Sequence, residues 1–159
     1  MTEYQDIRLI IKIENTKPIE LFDLTKSLVS IATQFETYVE KNADSKEGRE
    51  AKLYVKEIKS GSVIFELIEL ASICVLPFIE NVNTIFGFAE YFKKTINFFL
   101  HNEGKKPDLS PTDYRELSTI LTPVAKDNGS QFNLSTTING NVELHINLNS
   151  TETNALQNI

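Results

Sequence analysis

The chain has 159 residues, of which 41% are hydrophobic and 24% charged, values typical of a folded domain and not of a disordered chain. Its formal net charge is −6, and residues 127–159 contain neither lysine nor arginine. Because nucleic acids and anionic lipid surfaces are bound by clustered cations, we expect no nucleic-acid partner and no docking on such membranes. The single cysteine, Cys74, and the absence of a basic and apolar leader favour a cytoplasmic location.

The first predicted element is a strand, because apolar and polar residues alternate with a period of two. Its buried positions are expected to be Ile7, Leu9, Ile11 and Ile13. A helix follows, with Thr16 as its expected cap and Pro18 in its first turn, and it should end near Asn42. Apolar residues every three or four positions predict one buried face of this helix: Leu21, Leu24, Leu28, Ile31, Phe35 and Tyr38.

Two strands are predicted at residues 51–58 and 62–67, and we expect them to pair as an antiparallel hairpin. We prefer a three-residue loop between them, because it places apolar residues opposite each other: Leu53 opposite Leu67, and Val55 opposite Phe65. A two-residue loop would instead set Val55 against the charged Glu66, which mixes apolar and charged side chains on one face.

Residues 63–79 are mostly apolar and just long enough to suggest a membrane span. Glu66 and Glu69 lie within this stretch, and each central carboxylate would cost about 2.5–3.5 kcal/mol on insertion. Pro77 also interrupts the stretch, so we expect no stable membrane span.

A long helix is predicted from the region of Pro77 to Leu100. Its main apolar face follows a regular three-four spacing: Val75, Phe78, Val82, Ile85, Ala89, Phe92, Ile96 and Phe99. Further apolar residues lie outside that face, so the helix must be covered on more than one side. We therefore expect Phe86, Phe88 and Phe98 to contribute to an interface with another protein molecule.

A second helix is predicted after the loop at residues 102–109. Ser110 is its expected cap, Pro111 occupies its first position, and Asp113 supplies an acid to its first turn. Pro123 should bend or end this helix.

The last predicted pair of strands is a hairpin in which apolar and polar residues alternate. Its apolar residues are Phe132, Leu134, Ile138, Val142, Leu144, Ile146 and Leu148. Asn139 and Gly140 are the usual signal for a two-residue turn, but that turn would set Ile138 opposite Asn141. We prefer a three-residue loop, residues 139–141, because it keeps every apolar residue on one face.

These elements predict an α+β fold. The expected architecture is a mostly antiparallel sheet of about five strands, in the order β-α-β-β-α-α-β-β, packed on a layer of long helices. Residues 1–150 should form a single domain, with residues 151–159 either a tail or the start of a further helix.

The sequence contains no recognisable catalytic, cofactor-binding or metal-binding motif. The two histidines, His101 and His145, are far apart in sequence, and neither lies in a cluster of metal ligands. The segment Ser60, Gly61 and Ser62 is interpreted as a hairpin loop and not as a phosphate-binding nest. An enzyme is therefore the least favoured class.

The polar face of the final hairpin carries almost no charge, although solvated strand faces usually do. We expect Asn133, Ser135, His145 and Asn147 to contribute to an interface. The leading hypothesis is a non-enzymatic interaction module that forms a homo-oligomer or binds a protein partner.

Two alternatives remain open. The first is a protein that binds or sequesters a polar metabolite or nucleotide, in a pocket between the hairpin's polar face and a helix end near His101 or Ser60. The second is a membrane-perturbing effector that uses the apolar region at residues 70–100.

Overall fold

The computed structural model describes the backbone of residues 7–42, 53–59, 63–69 and 79–158, and the side chains of residues 7–41, 63–67 and 85–158. Within these residues the strands are β1 (Ile7–Glu14), β2 (Leu53–Lys59), β3 (Val63–Glu69), β4 (Gln131–Ile138) and β5 (Asn141–Asn149). The helices are α1 (Leu21–Asn42), α2 (Ile79–His101), α3 (Pro111–Ala125) and α4 (Ser150–Gln157). The strands form one antiparallel sheet in the order β2-β3-β1-β4-β5. The predicted α+β class with an antiparallel sheet is confirmed, and α4 is an addition to the predicted order.

The hydrophobic core lies between one face of the sheet and the helices. The inward side chains of the central strand β1 are at most 2% exposed, which confirms the predicted alternation: Ile7, Leu9, Ile11 and Ile13. Phe92 of α2 packs against Phe132 of β4, with ring centroids 6.4 Å apart. Each buried side chain of this size contributes about 1.5–3 kcal/mol, so such contacts hold the helices on the sheet.

The entry to α1 differs from the prediction. The helix begins at Leu21, so Thr16 and Pro18 precede it and Thr16 is not its cap. The backbone N–H of Thr16 donates to the carboxylate of Asp127 over 2.8 Å, and the Thr16 hydroxyl and the Lys17 N–H donate to the same carboxylate. Leu21 is 76% exposed and does not belong to the buried face. The carboxylate of Asp127, which is distant in sequence, therefore holds the segment between β1 and α1, and it does so instead of the expected local cap.

The first hairpin forms between β2 and β3, but its register differs from the prediction. Val55 lies opposite Leu67 and Ile58 lies opposite Phe65, with a register shift between the two pairs. The predicted pairing of Leu53 with Leu67 is therefore wrong, as is that of Val55 with Phe65. An extra residue in β2 forms a bulge, which lets apolar residues face each other on both sides of it.

The turn of the second hairpin is also corrected. Asn139 and Gly140 form a two-residue turn with φ values of 52° and 85°, so the predicted three-residue loop is wrong. A register shift then leaves Glu143 as an extra residue in β5. Beyond this bulge Leu134 lies opposite Ile146, and both side chains are buried. The bulge thus restores the predicted apolar pairing from Leu144 onward, whereas Val142 lies opposite Thr137 and is exposed, contrary to the prediction.

The predicted apolar face of α2 is buried where the structure describes it. Its buried members are Ile85, Ala89, Phe92 and Ile96, and Phe99 is half-buried. Pro77, Val75, Phe78 and the side chain of Val82 lie outside the described residues. None of the helices in the described ranges combines the length and the apolar character needed to cross a membrane.

Phe88 of α2 is a core residue and not the surface residue that we expected. Its side chain is 1% exposed, and its ring meets that of Phe35 on α1 edge-on, at a centroid distance of 5.4 Å. A side chain enclosed by its own chain cannot contact a partner. Phe88 is therefore removed from the predicted interface.

The two helices that flank the second hairpin begin with capping boxes. Ser110 and Asp113 cap α3 as predicted, and the helix continues past Pro123 to Ala125. Asn149 and Glu152 form the corresponding pair at the start of α4. The residues interpreted as a tail or the start of a helix thus form α4.

Candidate interaction surface

The outer face of the sheet is the face opposite the described helices, and it carries the polar residues of the second hairpin. Cross-strand pairing aligns Lys12 of β1 with Asn133 of β4, and Asn133 with Asn147 of β5. Ser135 and His145 lie opposite each other in the neighbouring row. The structure therefore brings together the four hairpin residues that the sequence analysis selected, with His145 and Asn147 exposed and the other two half-buried.

The two remaining predicted interface residues, Phe86 and Phe98, lie elsewhere. Both belong to α2 and are half-buried in the helix layer. The ring of Phe98 contacts that of Phe99 edge-on, with centroids 5.1 Å apart. Because α2 packs on the inner face of the sheet, these phenylalanines and the polar hairpin residues do not form one continuous surface.

The amide side chains of the outer face bind each other. Asn147 donates one hydrogen bond to the side-chain oxygen of Gln131 over 3.0 Å and another to that of Asn133. The side chain of Asn149 accepts from the N–H of Glu152 and so caps α4. Since these amides already have partners within the chain, β5 offers a partner its backbone rather than a row of free amides.

Strand β5 lies at an edge of the sheet, so one of its sides has no neighbouring strand among the described residues. Its nine residues contain no lysine, arginine or proline, and Glu143 is their only acid. Natural sheets usually protect such edges with charged residues, prolines or bulges. Here the protection consists of Glu143 and its bulge, and the neighbouring Val142 is 63% exposed.

Helix α1 carries an exposed apolar patch that the sequence analysis did not identify. Leu21, Phe22 and Val29 are 76%, 62% and 60% exposed. The ammonium group of Lys26 lies over the Phe22 ring, 4.4 Å from its centroid. Residues seven apart lie on the same side of a helix, so Phe22 and Val29 share a face. Leu21 also fits the three-four spacing of the buried face of α1, so the sequence pattern alone did not separate the exposed patch from the buried face.

A second candidate site is a cleft of about 470 Å³ between α1, α2 and residues 105–108. We call it the lysine cleft because four lysines line it: Lys41, Lys94, Lys105 and Lys106. It differs from the pocket expected near His101 or Ser60, and Ser60 lies outside the described residues. Sequence reasoning missed the lysine cleft because its residues come from three separate segments, none of which carries a motif.

A buried carboxylate, Asp113, anchors side chains beneath the lysine cleft. Gln34 donates to its Oδ1 over 3.0 Å, and the Lys41 ammonium lies 3.5 Å from its Oδ2. Burial by itself would raise the pKa of Asp113, but the hydrogen bonds from Gln34 and Ser110 and the charge of Lys41 together lower it. Asp113 therefore remains ionised and holds both α1 side chains in place.

The described residues do not assemble a metal-binding cluster of three or more histidine, cysteine, aspartate or glutamate side chains. His101, at the end of α2, and His145, on β5, are both exposed and lie on different layers of the fold.

Comparison with known proteins gives no relative from which a function could be transferred. No protein-family model matches the chain, and neither does a curated protein or a solved structure. The argument for function therefore depends on the geometry of this chain alone.

Proposed function

We propose that the protein is an interaction module that self-associates through the edge of β5 that has no neighbouring strand among the described residues. The observation that carries this proposal is the position of a nine-residue, almost uncharged strand at the end of the sheet order. The backbone N–H and C=O groups on such an edge lack strand partners and can pair with another strand. A second copy of β5 is the partner we favour, because antiparallel pairing of two identical edges closes a symmetric dimer.

The length of the available edge limits the strength of this association. The bulge at Glu143 interrupts the strand on one side, and the N–H of Asn149 already donates to Glu152 on the other. Residues 144–148 remain for pairing. Stable interfaces bury about 1,600 Å² in total, more than five residues of edge strand supply, so we expect a weak dimer.

The experiment that tests the proposal is sedimentation velocity or light scattering at protein concentrations up to about 1 mM. At that concentration, half of the chains would be in dimers if the free energy of association were about −4 kcal/mol. His145→Lys is the informative variant, because it places a positive charge on the exposed side of the edge strand in both copies. We expect this variant to shift the equilibrium to monomer. A wild-type chain that stays monomeric over the whole range would overturn the proposal.

Thr25→Lys is the matched control, since Thr25 is exposed on α1 close to the apolar patch of Leu21, Phe22 and Val29. It adds the same charge as His145→Lys far from β5. We expect it to dimerise as the wild type does. Loss of the dimer in Thr25→Lys alone would assign the interface to α1 and reject the β5 edge.

A further inference from the structure

We infer that the lysine cleft binds a small organic polyphosphate, a ligand in which a flat ring carries two or more phosphate charges. The inference is independent of the self-association proposed above, since the cleft lies between α1 and α2 and not on the sheet. A nucleoside diphosphate is the model ligand for this chemistry.

The first argument is the concentration of positive charge. The chain as a whole has a net charge of −6, yet the lining of this cleft contains four lysines against two carboxylates, Glu90 and Asp108. Lys94 pairs with Glu90 at 3.3 Å and Lys41 with the buried Asp113 at 3.5 Å, so the excess positive charge comes from Lys105 and Lys106, which form no ion pair with any of the described residues. Positive charge gathered in a concave site attracts and holds an anion more strongly than the same charge spread over a convex surface.

The second argument is the arrangement of the lysines. Lys41 comes from the end of α1, Lys94 from α2, and Lys105 and Lys106 from the loop that follows α2. Ammonium groups from three segments that line one cleft can contact different oxygens of one polyphosphate chain. Lys41 is also held by the buried Asp113, which reduces the side-chain entropy lost when a ligand binds.

The third argument is the aromatic wall. Tyr38 of α1 and Tyr91 of α2 line the cleft, with ring centroids 5.6 Å apart and planes 36° apart. Burial raises the pKa of both phenols, that of Tyr91 to about 12, so both hydroxyl groups stay protonated and add no negative charge. Aromatic faces contribute stacking energy to a flat ring, whatever its identity.

The size of the cleft agrees with this class of ligand. Its volume of about 470 Å³ lies within the range of about 300–1,000 Å³ found for small-molecule sites. A single phosphate would leave most of this space empty. A ligand with both a ring and a polyphosphate uses the lysines and the tyrosines together.

The test is calorimetric titration of the full chain with three probes: ADP, inorganic pyrophosphate and adenosine. We expect ADP to bind most tightly, pyrophosphate to bind more weakly, and adenosine not to bind detectably. Because the contacts are ionic and partly exposed, the affinity for ADP should fall as salt is added. Absence of ADP binding at millimolar concentration would overturn the inference.

The variant that locates the site is Lys105→Gln/Lys106→Gln, which we expect to weaken ADP binding about tenfold or more. The matched control is Lys12→Gln/Lys26→Gln, which removes the same charge from β1 and from the N-terminal part of α1, at positions that do not line the cleft, and should leave the affinity unchanged. Equal losses in the two variants would show that only net charge matters and would reject the cleft. Pyrophosphate binding as tight as that of ADP would reject the role assigned to the tyrosines.

Discussion

The hydroxyl group of Tyr38 on α1 lies against the backbone of Gly87 on α2, in the space that a β-carbon would occupy. A β-carbon built on Gly87 would overlap the Tyr38 hydroxyl oxygen and would lie 3.3 Å from Cζ of the ring. Glycine in the middle of a helix costs roughly 0.5–1 kcal/mol relative to alanine. The close approach of these two helices at the lysine cleft is the physical reason for glycine at this position.

The effect of Gly87→Ala should therefore depend on Tyr38. In the wild-type background the gain in helix propensity is opposed by displacement of the tyrosine, so we expect little net change in the free energy of unfolding. In a Tyr38→Phe background the oxygen is gone but Cζ still lies 3.3 Å from the new β-carbon, so Gly87→Ala should be more favourable than in the wild type by up to about 1 kcal/mol. Urea unfolding of the four proteins in this cycle measures the difference. Equal effects of Gly87→Ala in the two backgrounds would show that the contact has no energetic consequence.

Asp127 should contribute to stability in a way that depends on pH. Burial favours its neutral form, but the hydrogen bonds from Thr16 and Lys17 outweigh this and lower the pKa of Asp127 below its ordinary value of 3.8. A lowered pKa means that the stabilisation is fully present above pH 3.8 and is lost as the pH falls through the folded-state pKa.

We expect Asp127→Asn to cost about 1–3 kcal/mol at neutral pH, since it weakens charge-assisted hydrogen bonds to three donors. The difference from the wild type should shrink once the pH is well below 3.8. Asp108→Asn, at an exposed position, serves as the control and should change stability little at any pH. A difference between Asp127→Asn and the wild type that does not vary with pH would contradict this account.

Glu116 on α3 should behave in the opposite way. Burial and the nearby charge of Asp113 raise the pKa of Glu116 above 4.5, and its buried Oε2 has no hydrogen-bond partner among the described residues. Its ionised form therefore destabilises the fold at pH values above the raised pKa, and this cost is absent below pH 4.5. We expect Glu116→Gln to increase the melting temperature at neutral pH and to have no such benefit in acid. Melting curves across this pH range test the prediction, and a loss of stability at neutral pH would refute it.

The phenylalanines of α2 should separate into two classes. Phe88 is 1% exposed, and its ring packs against those of Phe35 and Tyr38. Phe88→Ala should therefore lower the free energy of unfolding by about 3–5 kcal/mol, because it leaves a cavity. Phe98 is half-buried, and Phe98→Ala should cost less, about 1–2 kcal/mol. Chemical denaturation measures both. Similar losses for the two variants would mean that the exposure of the side chains does not determine their contributions.

Local signals in the sequence were the most reliable guide to this fold. The capping pair Ser110 and Asp113 was predicted and is present, because a capping box requires only residues three positions apart. The alternation in β1 was also predicted correctly, because the central strand has a clear inner and outer face. Both features depend on the chain close to the residues concerned.

Features that depend on distant contacts were not predictable in the same way. The apolar alternation of β5 continues from Val142 to Leu144 across the bulge, so the pattern carried no sign of the extra residue at Glu143, and a correct turn looked incompatible with the apolar pairing. The cap of α1 was misassigned because the true partner of Thr16 is Asp127, 111 residues away. The wide apolar surface of α2 could not show that Phe88 faces α1 and not a partner. The lysine cleft was missed because three segments must fold before its charges meet.

The position of β1 between β3 and β4 has a consequence for the order in which the chain folds as it leaves the ribosome. β1 precedes the other described strands in the chain, yet it pairs on one side with β4, which is made more than a hundred residues later. Until β4 emerges, one edge of the apolar strand β1 has no native neighbour, and chaperones or premature aggregation compete for it. Completion of the C-terminal hairpin is thus the event that protects the N-terminal strand of the newly made protein.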